Sequence, residues 1–366
     1  MRLSPPSRSL LVPLALSALA ACTPSGSSDV CAPYRDADAA LGSNHAEWMT
    51  ELTCRYPDRG LTLKQIAWPR SHDTGTYAES SCLFPGAANA CNTRTQAKTM
   101  AEQLAVGVRA FDVRPELIVP DQANVVSVAE PTYFTHHTVS CRSLGCIGTP
   151  LDALLSDVRH FLDRHRELVI LELTHFCDTG VDDAALVTLI EQQLGDRLYR
   201  EPVGETRPLI DRPLAELLPG TARRGKALVL WEGLADTAAS RQAGRFPIDA
   251  IPVESGWSNT TDLGYLVQDQ TTRYASYAND GTKLFELSWT LTQDTAMATA
   301  CAENPDTATS IEDLATIANG ALVPNLDALI ASGQIRAGRI PNVISLDFAE
   351  GWVTDQCLRI TEIGLE

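Results

Sequence analysis

The sequence predicts an α/β fold: a single TIM-type (β/α)8 barrel, with distorted or incomplete closure as an allowed variant. Three observations carry this. Short apolar runs alternate with amphipathic helical patterns along almost the whole chain. The strongest runs, such as ELVILEL, are near-continuous, as in parallel strands buried on both faces. About eight runs over ~300 residues match the size of one barrel. A doubly wound open sheet is the alternative. It would carry a glycine-rich phosphate loop after its first strand, and the sequence holds no such fingerprint.

The elements follow in order. LKQIAW (63–68) is strand-like, and residues 95–105 are helical with Met100 and Leu104 inward. GVRAFDV (107–113) and TYFTHH (132–137) read as strands two and three. Thr149-Pro150 reads as a cap followed by proline at the first helical position. The helix it opens presents Leu151, Leu154, Leu155, Val158, Phe161 and Leu162 on one face. Arg164-His165-Arg166 gives that helix a basic C-terminal end. ELVILEL (167–173) is strand four, and Leu186, Leu189, Ile190 and Leu194 mark the next helix. KALVLW (226–231) and LFELSW (284–289) are apolar strands, with GYLVQD (264–269) a weaker strand candidate. Residues 311–332 are helical, with Gly320 and Pro324 expected to interrupt. NVISLDF (342–348) is the last strong strand.

The 366 residues carry a formal net charge of −17 and are 44% apolar. That charge excludes broad attraction to nucleic acid, and it opposes general attraction to an anionic bilayer. At the N-terminus, Arg2 and Arg8 accompany SLLVPLALSALAA, which is too short and too proline-interrupted to span a membrane. It ends in Leu19-Ala20-Ala21-Cys22, the pattern of a bacterial lipobox. Residues 1–21 are therefore expected to be a lipoprotein signal peptide, with Cys22 the lipid-anchored N-terminus. Residues 22–30 are expected to be a flexible tether and residues 31–366 the barrel domain. No later stretch approaches ~20 uninterrupted apolar residues, so no second span is expected. The protein is expected to be exported, either anchored to a bacterial envelope membrane or secreted, and monomeric.

Export permits disulfides. Ten cysteines are present. Cys82 with Cys91, and Cys141 with Cys146, are close in sequence and lie in polar loops. Cys31–Cys54 and Cys301–Cys357 are the remaining pairings, with Cys177 left over. Zinc is disfavoured, because no CxxC pair is present and the histidine spacing completes no site.

A barrel collects its chemistry at the C-terminal ends of its strands. His72-Asp73 follows strand one. Asp112 and Arg114 close strand two, His136-His137 strand three, and Asp347 the last strand. No serine or cysteine nucleophile signature is present. Two imidazoles and a guanidinium suit phosphodiester cleavage. One imidazole removes a proton from the attacking hydroxyl, and the other protonates the departing oxygen. The guanidinium grips the phosphate through two donors and offsets its charge. Carboxylates fix the imidazole tautomers.

SHDTGTY (71–77) resembles the loop that opens the X-domain of bacterial phosphatidylinositol-specific phospholipase C. GVRAFDVR, FTHH, ELVILELTHF and NVISLDF resemble further segments of the same family, in the same order, over roughly residues 60–350. The resemblance implies a barrel that forms a cyclic inositol phosphodiester and releases diacylglycerol. It implies that His72 is the general base and Asp347 its supporting carboxylate. His137 matches the general acid, and Asp73 the carboxylate paired with it. Arg114 matches the phosphate-binding arginine, with Asp112 its near neighbour. A guanidinium at Arg114, where eukaryotic relatives place calcium ligands, implies that no metal or other cofactor is used. Phospholipid, or another phosphodiester, is the implied partner.

Departures bear on the headgroup. Thr138 follows His137 where glycine is usual, and Pro69-Arg70-Ser71 replaces the usual P-G-T. Leu173-Thr174-His175 stands where some relatives carry a lysine. The alternatives are therefore a phosphodiesterase acting on another lipid or soluble phosphodiester, and a catalytically silent surface-binding barrel. His136 is expected to face away from His137, and His160 and His165 belong to a helix. His175 lies near a strand end, with contact to substrate the lesser alternative, Glu172 and Glu286 face into the barrel or out of it, and Trp68, Trp231, Trp257 and Trp289 serve the core or rim.

Overall fold

The predicted strands gather into one curled parallel sheet and a smaller sheet beside it. A computed structural model describes residues 29–34, 41–83, 87–120, 126–218 and 224–366. The expected signal peptide, Cys22 and the tether as far as residue 28 lie outside the described residues. The strands are β1 (Trp68–Ser71), β2 (Ser81–Leu83), β3 (Ala110–Val113), β4 (Pro115–Ile118), β5 (Thr132–Thr138), β6 (Gly145–Pro150), β7 (Leu168–Leu173), β8 (Lys226–Trp231), β9 (Arg245–Pro247), β10 (Val253–Glu254), β11 (Leu284–Ser288) and β12 (Val343–Leu346). Eight of them form the large sheet in the order β10-β11-β12-β1-β3-β7-β8-β9, every pairing parallel. Read around the sheet, this is chain order, as in a (β/α)8 barrel. The seam lies between β9 and β10, three and two residues long, which stay unpaired with each other. The barrel is incompletely closed, as expected.

Strand alternation grades the barrel interior. The even-numbered residues Ile170, Leu228, Leu284, Trp68 and Ala110 join one apolar cluster at the bottom. Two positions further along the same inward faces stand Arg70, Asp112, Glu172 and Glu286. On these strands the odd-numbered residues, including Phe111, Val169, Leu171, Val229 and Leu287, pack outward on the helices, whereas in β12 the parity is reversed and Ile344 and Leu346 pack outward. The helix Leu151–Leu162 buries the six residues its spacing marked.

The barrel bottom is plugged by the helix Trp48–Arg55, whose Trp48, Met49 and Leu52 are fully buried. Glu167, also fully buried, accepts hydrogen bonds from the Met49 and Thr50 amides at 3.2 and 2.8 Å and from Arg109 Nε at 3.0 Å. Replacing Glu167 with alanine leaves Arg109 buried without its counter-charge. We expect a loss of about 3–5 kcal/mol in urea unfolding, with the chemistry at the opposite end of the barrel unchanged in the fraction that folds.

Several expectations are corrected. TYFTHH is a strand, but not a barrel strand: β5 lies between β4 and β6 in an antiparallel sheet ordered β2-β6-β5-β4. Only Arg114 separates β3 from β4, so the chain leaves the barrel there and doubles back beside its mouth. GYLVQD belongs to the helix Leu263–Ser276, whose buried residues Leu266, Gln270 and Tyr274 recur every fourth position. The two barrel positions that TYFTHH and GYLVQD would have filled are taken by β9 and β10. Residues 63–65 form a 3-10 turn closed by a Thr62–Gln65 capping box, and the first strand starts at Trp68. Thr149 and Pro150 end β6, and Pro150 itself is the N-cap. The helix Ile311–Ala331 runs through Gly320 and Pro324 without a break. Leu314, Ala318, Leu322, Leu326 and Leu329 are buried on both sides of the proline, which outweighs one lost N–H.

The disulfides are Cys31–Cys54, as expected, with Cys82–Cys146 and Cys91–Cys301. The pairings Cys82–Cys91, Cys141–Cys146 and Cys301–Cys357 do not form. Cys82 and Cys146 face each other in the β2–β6 register. Cys91 meets Cys301 where two short helices dock, and Cys357 is buried in the helix Gly351–Leu365. Closeness in sequence does not set which thiols meet.

Candidate active site

The site is built where β1, β3, β12 and the side sheet meet. The His72 amide donates to the Leu346 carbonyl at 3.2 Å, extending the β1–β12 ladder by one residue. His72 therefore points inward above Arg70 and Trp68. Asp347 follows directly after β12, and its Oδ1 lies 2.8 Å from His72 Nδ1. Arg114 Nη2 donates to His72 Nε2 at 3.0 Å. A guanidinium only donates, so Nε2 is the acceptor and the ring proton sits on Nδ1, facing Asp347.

Asp73 has a left-handed backbone, φ 48°. Aspartate tolerates this region better than most residues. The turn aims its carboxylate at Arg114, with Nη1 2.7 Å from Asp73 Oδ2. The other arm of the guanidinium donates to Asp112 Oδ2 at 2.9 Å. Thr174 Oγ1 donates to Asp112 Oδ1 at 2.7 Å, and the Asp73 amide donates to Oδ2 at 3.3 Å. Arg114 is thus a rigid fork held between two carboxylates and aimed at an imidazole.

His137 arrives from β5. Its Nδ1 donates to the Thr93 carbonyl at 2.7 Å, and its Nε2 lies 3.5 Å from Asp73 Oδ2. Both imidazoles are therefore pinned at Nδ1, and both present Nε2 to the Arg114–Asp73 pair. Every candidate named from the sequence (His72, Asp73, Asp112, Arg114, His137 and Asp347) lies in this one constellation. All of them except the buried Asp73 line a cavity of about 820 Å³, which exposed Val139 and Trp257 also line.

Charge is tuned within the cluster. Burial alone would lower the His72 pKa, but the charge and hydrogen bond of Asp347 outweigh it, and the net shift is upward. Burial pushes the Asp112 carboxyl up, yet Arg114, Arg70 and His72 together hold it well below the usual carboxylate range. Burial pulls the Arg114 guanidinium down, and Asp112 and Asp73 more than restore it.

Other residues fall beside this centre. His136 turns away from His137, with its Nε2 2.8 Å from the His175 carbonyl and its Nδ1 2.9 Å from Thr138 Oγ1. Burial lowers its pKa. His175 is exposed and lines the cavity. Trp68, Trp231 and Trp289 are core. His160 is exposed, and His165 pairs with Glu47 at 3.1 Å.

Sequence reasoning missed Arg70 as a member of the site. It donates through Nε to Glu172 at 2.7 Å and through Nη1 to Ser345 Oγ at 3.0 Å, with Glu286 at 3.9 Å. Glu172 and Glu286 therefore both face into the barrel. The missed signal was strand alternation, since residue 70 shares an inward face with residue 72. Thr93 acts through its backbone carbonyl, which leaves no trace in a sequence.

Compared by sequence, the chain matches no family model and no curated protein. Compared by structure, it matches the phosphatidylinositol-specific phospholipase C of Listeria monocytogenes with a TM-score of 0.56 over 87% of this chain and 98% of that one, at 16% identity. A pentafluoro-Phe form of the Staphylococcus aureus phospholipase matches with a TM-score of 0.53 over 85% and 93%, at 14% identity. The fold is that of bacterial phosphatidylinositol-specific phospholipase C. The likeness spans nearly the whole of both bacterial chains, so the incompletely closed barrel is common to all three. At these identities the phospholipase likeness establishes architecture, and the residue roles rest on the geometry above.

Proposed function

We propose that this chain is a metal-independent phosphodiesterase of the phosphatidylinositol phospholipase C type. The observation that carries the reading is the shared orientation of His72 and His137, each held at Nδ1 with Nε2 turned to Arg114 and Asp73. In the reaction, His72 Nε2 takes the proton of a hydroxyl that neighbours the phosphodiester on the headgroup. That oxygen bonds to phosphorus as the bond to the lipid alkoxide breaks, and the alkoxide takes a proton from His137. The products are a cyclic phosphodiester and diacylglycerol. Arg114 binds the non-bridging oxygens, and its fixed charge supports turnover without a cation. Asp347 holds the His72 tautomer, Asp73 pairs with His137, and Asp112 fixes the guanidinium. Lipidation at Cys22 after export would place the cavity beside a membrane.

A second reading, cleavage of a different phosphodiester, is favoured by the barrel interior under the histidines. There Arg70 with Glu172 and Glu286, and Thr174 without a lysine, offer a mixed and acidic surface to the headgroup. The test is a panel of phosphatidylinositol vesicles, other phospholipids and soluble phosphodiesters, each with and without chelator. Cyclic inositol phosphate that survives chelation, and falls roughly 10²–10⁴-fold in His72→Ala, is the expected result. Turnover confined to another substrate supports the second reading. No turnover of any member overturns both.

A further inference from the structure

We infer that Cys141 and Cys177 form a fourth disulfide, which ties the tip of the β5–β6 hairpin to the loop after β7 and fixes one wall of the cavity. The inference is independent of the proposed reaction. Three contacts already bring the two segments together. Cys141 Sγ donates to the Phe176 carbonyl at 3.5 Å. The Cys141 and Cys177 thiols lie near enough to influence each other's charge. Next to them, Arg142 pairs with Asp178. Both segments line the cavity, one through residues 137–141 and the other through residues 174–176.

The remaining cysteines leave these two for each other. Six cysteines are already bonded, so the chain is one that meets an oxidising compartment. Of the free thiols among the described residues, Cys141 is exposed while Cys177 and Cys357 are buried. Cys357 stands alone on its helix in the core. An exposed thiol beside a buried one has an entry point for an oxidant and a resolving partner behind it.

Glu116 supplies what the second step needs. It is 1% exposed, and its Oε2 has no hydrogen-bond partner. Ligand atoms of Glu116, Cys177 and Asp178 lie within 4.8 Å of one another. Among the described residues this is the one group arranged as a metal could use it, so zinc held by thiolates and carboxylates is the competing occupant. Oxidation balances as follows. The Cys141 thiolate attacks a disulfide donor, a small-molecule or protein disulfide, and releases one donor thiol. Cys177 passes its proton to Glu116 and attacks the Cys141 sulfur, which releases the second donor thiol. Two electrons pass to the donor, and the two protons end on its thiols.

The test is a thiol count on the full exported chain, denatured without reductant, with a peptide map by mass spectrometry and a zinc determination. The expected result is a linked peptide joining Cys141 to Cys177, no bound zinc, and Cys357 as the single free thiol of the region beyond Cys22. Cys141→Ser should raise that count to two and speed deuterium uptake by the amides of 138–144. Glu116→Gln should slow closure of the reduced protein several-fold and leave the final count unchanged. Three free thiols, a link from Cys141 to any other cysteine, or zinc bound in place of the link would each overturn the inference.

Discussion

Arg114→Ala is expected to lower kcat by roughly 10³–10⁵-fold, the range seen when an arginine that stabilises a phosphoryl transition state is lost. It should also destabilise the fold. Asp73 and Asp112 are 1% and 3% exposed, and without the guanidinium they become buried carboxylates facing each other. Loss of one partner from such a pair costs about 3–5 kcal/mol. Part of this is relieved by protonation, since the Asp112 carboxyl is no longer held well below its usual range. In the native protein the contribution of Asp112 is present above the unfolded carboxylate pKa and is lost as pH falls through the depressed folded value. Arg114→Ala should therefore show a weaker acid dependence of stability than the native chain. Arg114→Lys separates the two roles. A lysine restores charge, and with it much of the melting temperature. It cannot reach Asp73, Asp112 and His72 with one planar fork, so activity should stay low. Activity in Arg114→Ala within tenfold of native would remove the phosphate clamp from the mechanism.

The second large effect is expected from Asp347→Asn. Burial pulls the His72 pKa down, and the Asp347 charge carries it above the ordinary histidine value. A general base works unprotonated, so kcat/KM in the native protein should rise with pH and reach its plateau above that ordinary value. Asparagine retains an oxygen for the Nδ1 proton but has no charge, so burial then dominates and the rising limb moves to lower pH. The plateau should fall roughly 10²–10⁴-fold as support for the developing imidazolium is lost. Stability follows the same sign. A raised folded pKa stabilises fully below the unfolded pKa, and this benefit disappears as pH rises through the folded value. Asp347→Asn should therefore lose more stability at mildly acidic pH than at alkaline pH. A pH–rate profile beside an NMR titration of His72 measures both. A limb that stays in place would assign the base to another group.

Much of the site was legible because its parts are local. His72 with Asp73, and Asp112 with Arg114, each sit within three residues at a strand end, where a barrel places its chemistry. Strand alternation then fixes which of them point inward. Arg70 obeyed the same rule and was overlooked because it lies two residues past the end of the apolar run LKQIAW, where a charge reads as part of the loop. The Glu172 and Glu286 carboxylates that hold it come from strands more than 100 residues away.

What the sequence determined by itself was the set of buried faces: the six apolar residues of Leu151–Leu162, the continuous core strands β7 and β8, and the histidines and arginine at strand ends. Periodicity records which side of an element leaves water, and burial of that side is most of the driving force for folding. Only the tertiary structure decided which element each face meets. It turned β5 into an antiparallel neighbour of β4 and β6, filled two barrel positions with the short β9 and β10, and joined Cys82 to Cys146 and Cys91 to Cys301. Hydrophobic burial has no direction and does not name its partner. Strand direction, thiol pairing and the backbone carbonyl that holds His137 are set by register and docking across the folded chain.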